Sequence, residues 1–237
     1  SAFLKWNNCA AEGGVLAGNF DCNTNTGSET LIGSFVVNEA TLPLVSLEAV
    51  IDIVGQDYVG IADPFGAPPI PLIPLGSWWD MRVPGGSRQS ALTVSADFSE
   101  TPFAEATQCT DYWAGQASGL QNYSYAVGGD PGRARLTVAP AVAPGTPTVV
   151  PVDGREYYAF RANLAHGRTI GPNAVDGCCT KVVLGLSSLI LTFSDGSMLW
   201  TQSGYFDAVA SRQHEASACE FVPVRNRTWG GLKQLYR

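Results

Sequence analysis

Charge is scarce in this chain, and histidine is nearly absent. Asp, Glu, Lys and Arg make up only 15% of its 237 residues, and there are two histidines. The net charge of −7 argues against binding to nucleic acid or to an anionic membrane surface, because both require a basic face. The longest apolar run, over residues 182–193, is broken by one glycine and two serines and is too short to span a bilayer. We therefore expect no nucleic acid and no membrane span.

Sequence signatures of catalysis are missing as well. The chain contains no Gly-x-Ser-x-Gly elbow, phosphate loop or dinucleotide fingerprint. His166 and His214 are both predicted to lie at the surface rather than to act as bases. A polysaccharide hydrolase needs only two carboxylates across a cleft, and Glu100, Glu105 and Glu156 are candidates that sequence spacing does not pair. We predict a protein that is not an enzyme and has no catalytic residues, and we keep the hydrolase as the third alternative.

The six cysteines indicate an oxidising environment. Their number is even and their spacing irregular, and the Cys-x-x-Cys pairs and histidine partners of a zinc site are missing. They are therefore predicted to form three disulfides and no metal site, which places the protein outside the cell. The residues are Cys9, Cys22, Cys109, Cys178, Cys179 and Cys219. Because Ser1 opens the chain without a basic start or an apolar leader, we expect that a signal peptide has already been removed.

The disulfide pairing is only partly constrained by the sequence. Adjacent cysteines rarely bond to each other, because the ring that this closes is strained. The adjacent pair Cys178-Cys179 is therefore predicted to point to opposite sides of an extended strand. Each of the two is expected to bond with a distant partner, and Cys109 and Cys219 are the candidates. Cys9 and Cys22 are close in sequence and are predicted to form a local bridge.

Hydrophobic residues alternate with polar ones in several short segments, which is typical of strands with one buried face. The clearest segments are residues 47–53, 92–98, 133–138 and 157–164. A hairpin is predicted around Asp195-Gly196, because this dipeptide suits a tight turn. With 26 glycines and 15 prolines, turns outnumber long helices. We predict an all-β fold, an antiparallel β-sandwich or jelly-roll-like domain over residues 1–237, with long Pro/Gly-rich loops and a basic tail at 225–237.

The segment Asp63–Leu75 combines five prolines with large apolar residues. The prolines exclude a helix and a central strand, yet the segment is too apolar for an ordinary solvated loop. It is predicted either to lie over the core as a lid or to form a contact surface for another molecule. The interface candidates are Pro64, Phe65, Ile70, Leu72 and Ile73.

Aromatic residues are the candidates for ligand or partner binding. A flat ring on a loop of a β-sandwich stacks well against a sugar or an apolar patch. In an extended segment, two adjacent tryptophans face opposite ways, so one of them faces solvent or a second layer. Filling the core is the alternative for each ring. The candidate residues are Trp78, Trp79, Trp113 and Tyr123.

A stretch near the start of the chain resembles the beginning of a calcium loop. Asp21, Asn23 and Asn25 place oxygen-bearing side chains at alternate positions. The pattern is incomplete, because Gly27 comes one position late and Ile32 stands where a bidentate glutamate belongs. Calcium is therefore a possible cofactor here, and an ordinary tight turn is the alternative.

Five stretches resemble an uncharacterised group of secreted bacterial proteins. They are Trp6-Asn7-Asn8-Cys9, the run 20–27 (FDCNTNTG), Arg133-Ala134-Arg135-Leu136, Glu156-Tyr157-Tyr158-Ala159-Phe160 and Asn226-Arg227-Thr228-Trp229-Gly230. The likeness extends over most of the chain, and its tail is the most specific part. This resemblance implies export and a β-rich fold, and it implies no activity.

Together these features favour an extracellular structural or interaction protein, such as a self-assembling surface, matrix or filament subunit. Its partner is then a second copy, reached by strand addition or apolar contact through the segments Ser1–Trp6 or Asp63–Leu75. The alternative is a carbohydrate-binding module in which the four aromatic residues bind a glycan.

Overall fold

The computed structural model describes residues 1–38, 42–55, 73–143, 148–149, 153–201 and 209–211. These residues form thirteen β-strands and three single-turn 3₁₀ segments, with no α-helix among them. The strands are β1 (Ala2–Trp6), β2 (Ala17–Gly18), β3 (Ser28–Phe35), β4 (Pro43–Gly55), β5 (Leu92–Ser95), β6 (Cys109–Thr110), β7 (Ala117–Tyr125), β8 (Arg133–Val142), β9 (Thr148–Val149), β10 (Glu156–Ala165), β11 (Val182–Phe193), β12 (Met198–Thr201) and β13 (Val209–Ser211). The 3₁₀ segments are Ser77–Trp79, Phe103–Glu105 and Val127–Gly129. In the described part of the chain, no helix has the length and apolar character needed to cross a bilayer.

The strands pair into two sheets. The five-stranded sheet has the order β1-β3-β10-β5, and the short β6 pairs with β10. The eight-stranded sheet has the order β2-β13-β11-β4-β8-β7, with β12 paired to β11 and β9 paired to β4. All of these pairs are antiparallel except β6 with β10 and β2 with β13. The predicted all-β, antiparallel fold is thus confirmed.

The core forms from the alternating apolar residues of these strands. The inward positions of β4 and β8 are buried, for example Ile51, Ile53 and Leu136, while their neighbours face outward. The start of β10 differs, because all of its first five residues are buried and its register against β3 shifts there. A bulge of this kind turns side chains that would alternate in a regular strand.

Among the described cysteines, two disulfides connect distant parts of the chain, and the predicted local Cys9–Cys22 bridge is wrong. Cys9 bonds to Cys109, 100 residues away, and Cys22 bonds to Cys178, 156 residues away. The physical reason is that Cys9 lies in the turn after β1, beside β6, whereas Cys22 lies in a separate turn beyond Phe20. The prediction that Cys178 bonds to a distant residue rather than to its neighbour is confirmed.

The adjacent cysteines do not lie in a strand. Cys178 and Cys179 occupy a turn, closed by a 3.0 Å hydrogen bond from Thr180 N to Gly177 O, so the predicted extended strand is corrected. Cys179 is disulfide-bonded as well. Cys219 lies outside the described residues.

The segment Ser1–Trp6 is not a free arm. As β1 it pairs with β3 over its whole length and buries Ala2, Leu4 and Trp6. The N-terminal amine also donates to Val36 O at 3.0 Å. Because β1 is the terminal strand of the five-stranded sheet, its pairing with a neighbouring copy stays a prediction.

The predicted interface segment Asp63–Leu75 falls largely outside the described residues, which resume at Ile73. Pro64, Phe65, Ile70 and Leu72 are among the undescribed positions, as is the tail at 225–237. Leu75 is buried, and its N–H donates to Pro131 O at 3.0 Å. A Cβ at Gly55 would overlap with Ile73 O, so the chain leaves β4 and returns at nearly the same place.

Candidate functional site

The four aromatic residues predicted to bind a ligand are buried. Trp78, Trp79, Trp113 and Tyr123 all lie in the core. Trp113 donates from Nε1 to Ala159 O at 2.8 Å, and Tyr123 donates from its hydroxyl to Trp79 O. Burial raises the pKa of Tyr123. No ring face of the four is open to a sugar, which corrects their expected exposure.

The tryptophan pair belongs to an aromatic cluster around Phe20. The Phe20 ring meets Trp6 and Trp78 edge-to-face at 5.4 Å between centroids, and Trp79 at 5.7 Å. The two adjacent tryptophans lie in a 3₁₀ turn rather than in a strand, so both rings turn inward. From the sequence, one of the two tryptophans was expected to face either solvent or a second layer. In the structure the cluster around Phe20 is that second layer, so both rings belong to the core rather than to a binding surface.

Arg88 is a buried residue that the sequence analysis missed. Its guanidinium carbon lies 3.5 Å from the centroid of the Trp78 ring. It donates to Trp78 O at 2.7 Å, to Gly167 O at 2.9 Å and to Ala165 O. Burial lowers its pKa to about 10, so the group remains charged at neutral pH. Arg88 thereby joins the tryptophan turn to the end of β10.

The exposed large apolar residues point to a different surface from the one predicted. On the outer face of the eight-stranded sheet, Met198 is 60% exposed and Trp200 is 63% exposed. Trp200 pairs across to Ile190 of β11. At the far side of the sheet, Leu120 of β7 is 76% exposed. Four strand spacings separate Trp200 from Leu120, or about 19 Å.

In the part of the chain that the structure describes, β7 is the last strand of this sheet and has an open edge. Among the described residues it pairs with β8 and with no other strand. Its nine residues carry no charge and no proline, and residues 118–122 are exposed. Natural proteins usually protect such edges with charged residues, prolines or bulges, because an open edge offers its N–H and C=O groups to another strand. This edge has none of the charges or prolines that protect others.

The charges on the outer face are largely paired within the chain. Asp52 accepts from Arg135 at 2.7 Å and from the hydroxyl of Ser187. Burial alone would raise the pKa of Asp52, but these hydrogen bonds hold it below its usual value. Arg133 lies 3.3 Å from Asp130. These pairs neutralise part of the charge on this face, and Glu48 adds an exposed carboxylate to it.

His166 was predicted at the surface and is in fact buried. Its Nδ1 lies 3.0 Å from Thr26 O. Its Nε2 lies 3.3 Å from Glu29 Oε1, within ion-pair distance, and makes no hydrogen bond to any of the described residues. The Phe20 ring packs against the imidazole at 6.3 Å between centroids. Because these contacts come from distant segments, the turn-like local sequence gave no sign of them.

In the predicted calcium loop, Asn25 makes hydrogen bonds to another loop of the protein. The side-chain oxygen of Asn25 accepts from Thr169 N at 2.7 Å and from Ile170 N at 3.0 Å, and Nδ2 donates to Ile170 O at 3.0 Å. These bonds occupy the oxygen that was expected to bind calcium, while Asp21 and Asn23 are exposed. The loop at 21–29 is thus fastened to the loop at 166–170, and the Cys22–Cys178 disulfide lies beside this junction in sequence.

The three carboxylates considered for hydrolysis have separate partners. Glu156 is buried and accepts from Ala10 N at 2.9 Å, from Ala11 N at 2.7 Å and from the Ser34 hydroxyl. Glu100 pairs with Arg161 at 3.2 Å, and Glu105 accepts from Thr101 at 3.3 Å. Glu156 therefore caps a turn of the backbone, and no contact brings these three carboxylates together within the described residues.

Glu156 also lies beside the Cys9–Cys109 disulfide. These three residues are the only His, Cys, Asp or Glu trio that lies close enough together to hold a metal ion in the described ranges. Both sulfur atoms are already bonded to each other, so they are not available as thiolate ligands. This trio is a structural junction between the first turn and β6.

No family model matches this chain, and no curated protein matches it. Among solved structures, a cohesin module from a family 33 glycoside hydrolase of Clostridium perfringens is similar to it. The match is 8% identical, covers 90% of this chain and 98% of the module, and has a TM-score of 0.35. At this level of similarity, the match carries no conclusion about function.

Proposed function

We propose that this protein is an extracellular interaction protein that self-associates as a subunit of a surface layer, matrix or filament. The observation that carries the proposal is the open edge at β7, with no charge in its nine residues and Leu120 76% exposed. The disulfides support a location outside the cell, because they persist in oxidising surroundings. The proposal assigns no catalytic reaction to the chain.

The partner at this edge is a second copy of the same strand. Two identical strands pair antiparallel about a two-fold axis, which makes an isologous contact that uses the same residues on both sides. A pairing centred at Leu120 places the two leucines beside each other on the outer face and joins two eight-stranded sheets into one. The main-chain hydrogen bonds supply the affinity, and the leucine contact sets the register.

The test is a charge placed on this edge. Leu120→Lys leaves the core intact, because the side chain is exposed, and it sets two like charges opposite each other in the paired edge. We expect the wild-type chain to exceed the monomer mass in size-exclusion light scattering and to form ordered particles by negative-stain electron microscopy. We expect Leu120→Lys to be monomeric.

Val83→Lys is the matched control, because Val83 is 69% exposed and lies outside β7. It removes an exposed apolar side chain and adds a charge without touching the edge, so its assembly is expected to match the wild type. A wild-type chain that is strictly monomeric at high concentration would refute self-association. Equal loss of assembly in both variants would show that the contact lies elsewhere.

The four aromatic residues on which the carbohydrate-binding alternative was based are buried. The rings of Trp78, Trp79, Trp113 and Tyr123 are covered by the core, so a bound glycan has no access to them in this structure. Among the tryptophans of the described ranges, the ring open to solvent is that of Trp200. Glycan binding therefore remains a proposal without an assembled site.

A further inference from the structure

Strand β7 carries the triplet Asn122-Tyr123-Ser124, which is an acceptor sequence for N-linked glycosylation. Such triplets are frequent in sequences, so the position of the side chains decides whether one is accessible. Asn122 and Ser124 are both exposed, whereas Tyr123 between them is buried and donates from its hydroxyl to Trp79 O. Because side chains alternate along a strand, the amide and the serine hydroxyl stand together on the outer face of the sheet.

The amide of Asn122 is not engaged in the fold, unlike the amides of several other asparagines. The side chains of Asn8, Asn25 and Asn163 all make hydrogen bonds within the protein. Among the described residues, the side chains of Asn122 and Ser124 make none. A modification at this amide therefore breaks no contact of the native structure.

The edge position gives an oligosaccharide room beside the sheet. On the side away from β8, no described strand pairs with β7. The strand also lacks the charges and prolines that keep other edges from pairing, and a glycan is bulky and soluble enough to cover it instead. The disulfides are consistent with an exported chain, and exported proteins are the ones in which such acceptors are modified.

We propose that Asn122 is an N-glycosylation site and that its glycan controls which chains self-associate through β7. The donor is a lipid-linked oligosaccharide pyrophosphate of the host cell. The amide nitrogen of Asn122 loses one proton and bonds to the anomeric carbon of the first sugar. The bond from that carbon to the lipid pyrophosphate breaks, and the pyrophosphate leaves with the lipid.

The control of assembly rests on the proposed pairing of β7 with a second copy. With that pairing centred at Leu120, Asn122 lies opposite Ser118 of the second copy. Opposite residues of antiparallel strands have Cβ atoms about 4.5–5.5 Å apart, which leaves no space for a sugar. A chain with a glycan at Asn122 is thus unable to pair. The self-association described above belongs to the unglycosylated chain, which is made in a host without N-glycosylation.

The test compares two substitutions of the same exposed serine in protein exported by the cells that produce it. Ser124→Ala removes the hydroxyl that the acceptor sequence requires and leaves Asn122 in place, whereas Ser124→Thr keeps the acceptor sequence. Mass spectrometry of glycopeptides separates Asn122 from the second acceptor triplet, Asn226-Arg227-Thr228. We expect a glycan on Asn122 in the wild type and in Ser124→Thr, and none in Ser124→Ala.

Size-exclusion light scattering of the same samples tests the control of assembly. We expect monomers for chains with a glycan at Asn122 and larger particles for Ser124→Ala. An unmodified Asn122 in the exported wild-type protein refutes the glycosylation site. Glycosylated chains that assemble as fully as Ser124→Ala refute the control by the glycan. If Asn122 is glycosylated in the wild type but Ser124→Ala is still monomeric, the site stands and self-association through β7 is wrong.

Discussion

Arg88 holds a charge inside the core through backbone groups. Its three described acceptors are the carbonyl oxygens of Trp78, Ala165 and Gly167, and its planar group lies over the Trp78 ring. A buried charge is tolerated when its donors are satisfied in this way. The five donors of a guanidinium lie in one plane, so a single side chain reaches carbonyls on two segments at once.

We expect Arg88→Lys to destabilise the protein by about 2–4 kcal/mol. Lysine keeps the charge, but its compact ammonium does not reproduce the planar fork, so buried carbonyls and part of the charge lose their partners. Urea unfolding with the disulfides intact measures the change. Arg133→Lys is the control, because that arginine is exposed in its pair with Asp130, and an exposed pair contributes only about 0–1 kcal/mol. Equal losses of stability in both variants would contradict a specific role for the planar guanidinium of Arg88.

The residues at the candidate sites show that burial is not predictable from the neighbouring sequence. The turn-like sequence around His166 predicted exposure, whereas its contact with Thr26 spans 140 positions. In the same way, the adjacent tryptophans looked like a binding pair, but the Phe20 ring and the Arg88 guanidinium cover Trp78. Burial depends on which distant segments pack together, and this information is not in the few residues on either side.

At the scale of strands, the sequence predicted the amphipathic elements well. The alternating segments at 47–53, 133–138 and 157–164 lie in β4, β8 and β10, and the hairpin at Asp195-Gly196 joins β11 to β12, with Gly196 at a φ of 83°. The segment at 92–98 is a strand only to Ser95, because Asp97 turns the backbone by accepting from Ser99 N at 2.9 Å. Local hydrogen bonds of this kind compete with strand pairing.

Strand β7 was not predicted from the sequence. The reason is its exposure on both faces, which is also what makes it a candidate interface. Period-two alternation marks a strand whose one face is buried. Most of β7 is exposed on both faces, so its sequence, ASGLQNYSY, does not alternate. An open edge is therefore hard to predict from hydrophobic pattern alone.

Close packing of β3 against β10 leads to a further prediction. A Cβ at Gly33 would overlap with the ring of Phe160, which is buried. We expect Gly33→Ala to reduce the free energy of unfolding by about 1–3 kcal/mol, as overpacking does in other cores. The measurement is the urea midpoint.

Gly185→Ala is the control in β11, where a Cβ meets nothing within 4 Å. It is expected to be neutral or to stabilise by up to about 1 kcal/mol, because alanine loses less backbone entropy on folding than glycine. A loss in Gly185→Ala as large as that in Gly33→Ala would show that the effect is not the contact with Phe160.

On the scale of the whole molecule, the two disulfides that join described cysteines interleave along the chain. One joins Cys9 to Cys109 and the other joins Cys22 to Cys178, so each bridge closes a loop that contains one end of the other. Six cysteines allow 15 pairings, and the sequence does not show which turns lie close together in the folded protein. The prediction of a local Cys9–Cys22 bridge failed because sequence proximity was used in place of that missing information.

The interleaving makes a quantitative prediction about stability. If either bridge is removed, the remaining one closes a loop of 156 or of 100 residues, and loop-closure entropy depends only on the logarithm of that length, so both bridges restrict the unfolded chain by similar amounts. The double variants Cys9→Ala/Cys109→Ala and Cys22→Ala/Cys178→Ala are therefore each expected to lose about 4–5 kcal/mol by loop-closure entropy. Denaturant unfolding under identical conditions measures both. If the two losses of stability differ by more than about 1 kcal/mol, the excess comes from native contacts, because the entropy model gives the two unfolded chains nearly the same constraint. A larger loss in the second variant would locate those contacts at the junction of the loops at 21–29 and 166–170.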